Sequence, residues 1–158
     1  IMMQAETYKK LQKNLMMFYT GTTRSANGIL SEQKKNIAQE DKTKNLLKMC
    51  DLAYEMKDAL EHNDVSSFGD ILNTGWELKR SLASGISNPE IDRAYEIAMK
   101  NGALGGKLLG AGGGGFLLFY CPEEKQDRLR NAIGLKEFEF TFEKDGSSVI
   151  YIGDKYWR

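Results

Sequence analysis

The chain has 158 residues, with 22 basic and 22 acidic side chains, so its formal net charge is zero. That length, together with 41% hydrophobic residues, predicts one soluble globular domain that can bury a core of its own. The balanced charge creates no overall field that would attract nucleic acid or an anionic membrane surface, so we expect neither as a partner.

The cysteines and the single histidine indicate the compartment of the protein and argue against a metal site. Cys50 and Cys121 lie far apart without a CxxC pattern, which indicates reduced thiols in a cytoplasmic protein rather than a disulfide framework. His62 has no cysteine near it in the sequence, so we expect no metal site and interpret His62 as a solvated residue at a helix end.

The sequence contains no apolar run that approaches the roughly 20 residues of a membrane span. Its start also lacks the basic and apolar regions of a signal peptide. Because the first residue is Ile1 rather than Met, we expect the chain to be a piece of a longer protein.

The first predicted element is a buried strand. Residues 7–15 form a polar lead-in that is either extended or helical, and the apolar run Leu15–Tyr19 is typical of a strand. Thr22, Arg24 and Ser25 follow it, and an arginine fork with neighbouring hydroxyls suits a phosphate group. The alternative is that a hydroxyl of this segment only caps the next helix, while Arg24 lies in solvent.

Three helices are predicted next: one that runs to about Ala38 and is weakened by Gly28, one over residues 41–61, and one over residues 65–82. We expect Trp76 of the third helix to lie in the core rather than against a ligand, because large aromatic side chains mainly supply buried area. The predicted inward faces are Leu46, Leu47, Cys50, Ala53, Tyr54 and Leu60 in the second helix, and Phe68, Ile71, Leu72, Gly75, Lys79 and Leu82 in the third.

A fourth helix has the clearest start in the chain. Asn88 supplies a polar cap, Pro89 occupies the first helical position, and Glu90 places an acid in the first turn. Apolar residues then recur at helical spacing until the Asn101-Gly102 stop.

The sequence 102–115 is the chain's most unusual stretch, and its end contains Gly110, Ala111, Gly112, Gly113, Gly114 and Gly115. Such a run allows positive φ angles and lets another group approach the backbone closely. Successive N–H groups can form a concave nest for an anion such as phosphate, and Lys107 could add positive charge. The alternative is a glycine-rich hairpin connection packed against a neighbour. The pattern is neither a Walker loop nor a dinucleotide fingerprint, since the strand-like run Phe116–Tyr120 follows it.

The last part of the chain predicts a helix and a hairpin. The helix begins after Pro122 and ends at Gly134. Alternation around Phe138, Phe140 and Phe142 predicts a half-buried strand. Asp145-Gly146 predicts a two-residue turn to a return strand over residues 148–152. The elements together predict an α+β domain with two layers, in which helices pack on a small antiparallel sheet.

Several of these stretches resemble the GHMP small-molecule kinases. The sequence GGKLLGAGGGGF at residues 105–116 is similar to the third conserved motif of that superfamily. The segments 18–26, 75–82 and 86–92 are similar to one branch, the sugar kinases that phosphorylate D-glycero-D-manno-heptose 7-phosphate. The resemblance extends over nearly the whole chain.

The resemblance implies a two-domain kinase of which residues 1–158 are the C-terminal domain. ATP and Mg²⁺ would be bound mainly by an N-terminal domain that is missing here, as is the catalytic aspartate, so this chain alone is expected to be inactive. Gly110, Ala111, Gly112, Gly113, Gly114 and Gly115 would border the site of phosphoryl transfer, where a backbone nest can contribute positioning and charge. The phosphate of the sugar would be held by Arg24 with Thr22 or Ser25, or by Lys107.

The resemblance identifies no catalytic residue in this chain, and we interpret Glu77 and Asp92 as solvated or capping acids. Three functions remain open from the sequence. The chain is half of a sugar or small-alcohol kinase, a ligand-binding or regulatory module of the same fold, or a structural domain. An upstream reading frame that encodes the glycine- and serine-rich ATP motif would favour the kinase.

Overall fold

The structure, a computed structural model, describes residues 1–22, 26–143 and 146–149. Over these residues it confirms the predicted α+β class, with helices packed on an antiparallel sheet. The described elements in chain order are α1 (Ala5–Asn14), β1 (Leu15–Tyr19), α2 (Ala26–Asn36), α3 (Glu40–Glu61), α4 (Phe68–Arg80), α5 (Pro89–Lys100), β2 (Gly105–Leu108), β3 (Phe116–Tyr120), α6 (Glu123–Ile133) and β4 (Lys136–Phe138).

The sheet has the strand order β2-β3-β1-β4, and each neighbouring pair is antiparallel. The two central strands pair Phe18 with Leu117 and Met16 with Phe119. All four of these side chains are buried, and they pack in one hydrophobic cluster with residues of α4, α5 and α6. Trp76 of α4 belongs to this cluster and is 1% exposed, so the prediction that it lies in the core is confirmed.

The interface between α4 and β2 is unusually close-packed. A Cβ atom on Gly105 would lie 1.9 Å from the carbonyl oxygen of Gly69 in α4. Any larger residue at position 105 would therefore push the helix away from the strand. This contact fixes the position of the first residue of β2 against α4.

The prediction of which residues of α3 face inward is partly wrong. Leu47 and Tyr54 are 60% and 70% exposed, and Cys50 and Ala53 are exposed as well. The stripe that packs inward consists of Leu46, Met49, Met56 and Leu60. The difference arises because α3 lies at the periphery and packs mainly on α4, so only a narrow stripe is covered.

The predicted strand around Phe138, Phe140 and Phe142 is shorter than expected, since β4 ends at Phe138. The side chain of Gln12 replaces a neighbouring strand there. Its amide nitrogen donates to the Phe140 carbonyl at 2.9 Å, and its amide oxygen accepts from the Phe142 N–H at 2.9 Å. Both rings still pack against the second hydrophobic cluster. Of the predicted hairpin, Asp145 and residues 150–152 lie outside the described residues.

Candidate functional site

The glycine-rich turn connects β2 to β3 at the edge of the sheet. Gly110 and Gly112 have φ angles of +77° and +119°, which side chains rarely tolerate. The structure therefore confirms that the stretch uses positive φ angles. The N–H of Leu109 donates to the Phe116 carbonyl at 2.8 Å, so the hairpin ladder continues to the base of the turn.

The turn is wedged between two other segments of the backbone. A Cβ atom on Gly112 would lie 2.7 Å from the Cα of Ile86, and one on Gly114 would lie 2.5 Å from the carbonyl oxygen of Thr22. The glycines thus also serve the close packing that the alternative interpretation of the stretch required. Gly110, by contrast, is exposed and has nothing within 4 Å of its Cβ position, so close packing does not explain the glycine there.

The N–H groups of the turn fall into two sets. Gly113 donates to the Ile86 carbonyl at 2.9 Å, and Gly115 donates to the Thr22 carbonyl at 2.8 Å and to Thr20 Oγ1 at 3.0 Å. Within the described ranges, the N–H groups of Gly110, Ala111, Gly112 and Gly114 have no acceptor. Gly110 is exposed, Ala111 and Gly114 are half-buried, and Gly112 is buried. The turn therefore has two anchoring amides and, at the exposed or half-buried residues Gly110, Ala111 and Gly114, three that can donate to a ligand's oxygens.

Thr22 lies at the Gly114 end of this turn. It borders a cavity of about 190 Å³ against α5 and a second of about 310 Å³ beside Asn88 and Glu90. Asn88 caps α5, since its side chain accepts from the N–H groups of Glu90 and Ile91, as predicted. Arg24 and Ser25 lie outside the described residues, so the structure places Thr22 alone of that predicted group.

Lys107 lies at the other end of the turn. It is a half-buried residue of β2, and it lines a cavity of about 180 Å³ together with Lys79 and apolar side chains of α3 and α4. Lys79 Nζ donates to the Gly110 carbonyl at 2.5 Å. Burial lowers the pKa of Lys79, and the positive charge of Lys107 lowers it further. The predicted candidates Thr22 and Lys107 therefore adjoin opposite ends of one turn.

Sequence reasoning did not select Lys79 as a site residue. The signal was nevertheless present, because Lys79 falls on the predicted inward face of its helix among apolar residues. A lysine at such a position extends its charged end toward a polar group, and here that group belongs to the glycine turn. A charged residue on an apolar face is thus a useful marker of a nearby site.

An ion-pair network supports the segment that anchors the turn. Asp92 Oδ1 accepts from Ser87 Oγ at 2.6 Å and lies 3.6 Å from Arg80 Nη1. Glu77 also lies 3.5 Å from Arg80 Nη1. Because Ser87 follows Ile86, whose carbonyl holds the turn, Asp92 does more than the solvated or capping role predicted for it.

The described part of the chain contains few groups that suit acid–base or metal chemistry. His62 is exposed at the C-terminal end of α3, as predicted. The Tyr95 hydroxyl is buried against the N–H of Gly106 and the side chain of Asn73, and burial raises its pKa well above its ordinary value. Among the residues described, no cluster of His, Cys, Asp and Glu could hold a metal ion. The arrangement is suited to binding an anion through backbone amides and lysines.

Comparison with known proteins identifies the family of the chain. The sequence model of the family described as GHMP kinases C terminal matches residues 56–139. The D-glycero-alpha-D-manno-heptose 7-phosphate kinase of Campylobacter jejuni is 31% identical over 140 residues, which cover 87% of this chain and 41% of that protein. The L-fucokinase/L-fucose-1-P guanylyltransferase of Bacteroides fragilis is 36% identical over 110 residues, which cover 68% of this chain and 12% of that protein.

The fold is also similar to a solved structure of mevalonate kinase from Methanococcus jannaschii. The TM-score is 0.63 at 25% identity, and the match covers 87% of this chain and 42% of that one. The chain thus spans less than half the length of each of these relatives. No helix among the described residues is both long and apolar enough to cross a membrane.

Proposed function

We propose, because the chain belongs to the GHMP kinase C-terminal family, that it is the C-terminal domain of an ATP-dependent cytoplasmic sugar kinase. The proposed reaction converts D-glycero-D-manno-heptose 7-phosphate to the 1,7-bisphosphate. The observation that carries this substrate is the 31% identity to the Campylobacter heptose 7-phosphate kinase over 87% of the chain. An N-terminal domain would complete the active site, so residues 1–158 alone would be inactive.

The glycine turn would contribute positioning and charge to phosphoryl transfer. The Ile86 and Thr22 carbonyls hold the amides of Gly113 and Gly115, which fixes the backbone of the turn before a ligand arrives. The N–H groups of Gly110, Ala111 and Gly114 would then supply partial positive charge to phosphate oxygens without further reorganisation. Phosphoryl transfer depends mainly on such positioning and electrostatic stabilisation.

The residues present fit the phosphates of ATP better than they fit Mg²⁺. Amide N–H groups and lysines are donors that suit phosphate oxygens, whereas Mg²⁺ requires oxygen ligands in octahedral geometry. We therefore assign Mg²⁺ and most of ATP to the N-terminal domain, with the turn at the edge of the phosphates. ATP supplies the phosphoryl group, and this chain's part is to orient the two substrates.

The phosphate that the acceptor already carries needs its own anchor. Our candidates are Arg24 with Thr22 or Ser25, or Lys107. Arg24→Ala in the full-length enzyme tests the first group, because loss of a charged hydrogen bond to substrate should raise the acceptor KM about tenfold or more. An unchanged acceptor KM would exclude Arg24 and leave Lys107 as the candidate.

The test of the function itself is a coupled ADP-release assay on the full-length protein with a panel of sugars and sugar phosphates. The proposal expects the highest kcat/KM with D-glycero-D-manno-heptose 7-phosphate. Highest activity with L-fucose would support the second candidate, another sugar kinase of the family, which the 36% identity to the Bacteroides L-fucokinase favours. ATP that stabilises the protein without turnover of any sugar would favour a non-catalytic ligand-binding module.

A further inference from the structure

Two lysines at the Gly110 end of the turn form a pair of positive charges. Lys79 and Lys107 line the same cavity, and each is half-buried. Over the described ranges, neither forms an ion pair with a carboxylate. By contrast, three surface lysines, Lys44, Lys57 and Lys100, pair with glutamates.

Like charges that are partly withdrawn from water repel each other and are individually destabilised. Burial and Lys107 both lower the pKa of Lys79, which is the expected result of that arrangement. The Gly110 carbonyl accepts one N–H of Lys79, and an ammonium group has three N–H donors. The pair therefore has donors and charge left over for an anion.

The cavity beside the two lysines is otherwise apolar. Its volume is about 180 Å³, and its walls include Trp76 and residues of α3. The indole Nε1–H of Trp76 is buried and has no acceptor among the described residues. Because that nitrogen is itself buried, the donors at the mouth of the cavity are those of the two lysines.

We propose that Lys79 and Lys107 bind a phosphate monoester of a small-molecule substrate at the mouth of this cavity. A phosphate monoester carries about −1.5 to −2 charges at neutral pH, which matches two ammonium groups better than a single carboxylate does. The hydrogen bond from Lys79 to the Gly110 carbonyl places this pair at the Gly110 end of the turn. The phosphate thus lies at the end of the turn opposite to Thr22.

The assignment of this phosphate to a substrate rests on the proposed kinase function. The binding of phosphate by the two lysines does not depend on that function. The direct test uses the 158-residue chain and inorganic phosphate, with sodium chloride at matched ionic strength. Thermal unfolding midpoints at increasing phosphate give the apparent Kd, because a ligand of the folded state stabilises by mass action.

The variants are Lys79→Met and Lys107→Met, with Lys100→Met as the control that removes one exposed, glutamate-paired lysine. We expect the apparent Kd for phosphate to rise about tenfold in each of the first two, because hydrogen bonds to charged groups are strong. Lys79→Arg, which keeps the charge, should retain most of the binding. The control should not change, and an unchanged Kd in Lys79→Met and Lys107→Met would overturn the proposal.

Steady-state kinetics of the full-length enzyme identify the source of the phosphate. A raised KM for the sugar phosphate in Lys79→Met assigns the site to the acceptor, and a raised KM for ATP assigns it to the nucleotide. An unchanged KM for both would overturn the assignment to a substrate. If phosphate binds to the chain through the lysines and the full-length protein phosphorylates no sugar, the kinase proposal fails while the anion site stands.

Discussion

Gly105 and Gly110 lie at the two ends of one short stretch, yet the structure uses them for opposite reasons. At Gly105 the backbone of α4 occupies the space of a side chain, because a Cβ atom there would lie 1.9 Å from the carbonyl oxygen of Gly69. At Gly110 nothing lies within 4 Å of that position, and the φ angle of +77° alone favours glycine. Gly105 is therefore required for close packing, whereas Gly110 is required for the backbone conformation of an exposed position in the turn.

The largest expected effect on stability is that of a substitution at Gly105. Gly105→Ala should lower the free energy of unfolding by about 3 kcal/mol or more, because the added methyl group overlaps helix backbone that cannot move independently. Urea unfolding of the 158-residue chain measures it. Gly28→Ala is the matched control, since nothing lies within 4 Å of that helical position, and it should raise stability by about 0.5–1 kcal/mol. A mild loss in Gly105→Ala would contradict the close contact of α4 with β2.

Gly112→Ala should have an intermediate effect. The residue combines a φ of +119° with a Cβ position 2.7 Å from Ile86 Cα, so backbone strain and overpacking both act, with an expected loss of about 2–3 kcal/mol. Because Ile86 also anchors the N–H of Gly113, we expect the full-length enzyme to lose kcat as well. Stability within experimental error of the original chain would show that the turn is not wedged against Ile86.

Gly110→Ala should have a smaller effect on stability. Only the left-handed backbone conformation opposes the substitution, which predicts a loss of about 1–2 kcal/mol. Gly110→Asn should lose less, because asparagine tolerates this conformation better than alanine does. An asparagine variant that is less stable than the alanine variant in urea unfolding would argue against backbone strain as the cause.

The smallest expected effect concerns Lys79 and pH. Its pKa is lower in the folded chain than the ordinary 10.5, so protonation at neutral pH disfavours the folded state, and this penalty disappears as pH rises toward 10.5. Lys79→Met should therefore gain stability relative to the original chain at pH 7.5, and the gain should shrink at pH 10. Urea unfolding at both values measures it, with Lys100→Met as the control. A gain that grows with pH would contradict burial of the Lys79 charge.

The parts of the fold that the sequence could predict are those with local causes. The cap at Asn88, the strand Leu15–Tyr19 and the burial of Trp76 follow from turn chemistry, apolar runs and side-chain size. The inward stripe of α3 could not be predicted, because it depends on which neighbour covers that helix. The replacement of a strand by Gln12 depends equally on a tertiary contact between residues distant in the sequence.

The candidate site also has features that the sequence could predict and features that it could not. Positive φ angles in the glycine stretch were predictable because glycine alone adopts them readily. The division of the turn's amides into anchored and free sets was not, since it depends on where Ile86 and Thr22 arrive from elsewhere in the chain. Lys79 was visible only as a charge on an apolar helix face, and its partner Gly110 is distant in sequence.

The central claim is that the free amides of the turn face a phosphate. The most direct measurement is a titration of the ¹⁵N-labelled 158-residue chain with pyrophosphate, followed in two-dimensional NMR spectra. We predict saturable shifts of the Gly110, Ala111 and Gly114 amide signals, with smaller shifts of Gly112, which is buried, and of Gly113 and Gly115, whose N–H groups are already bonded. Equal shifts in both sets, or none at saturating pyrophosphate, would contradict the account.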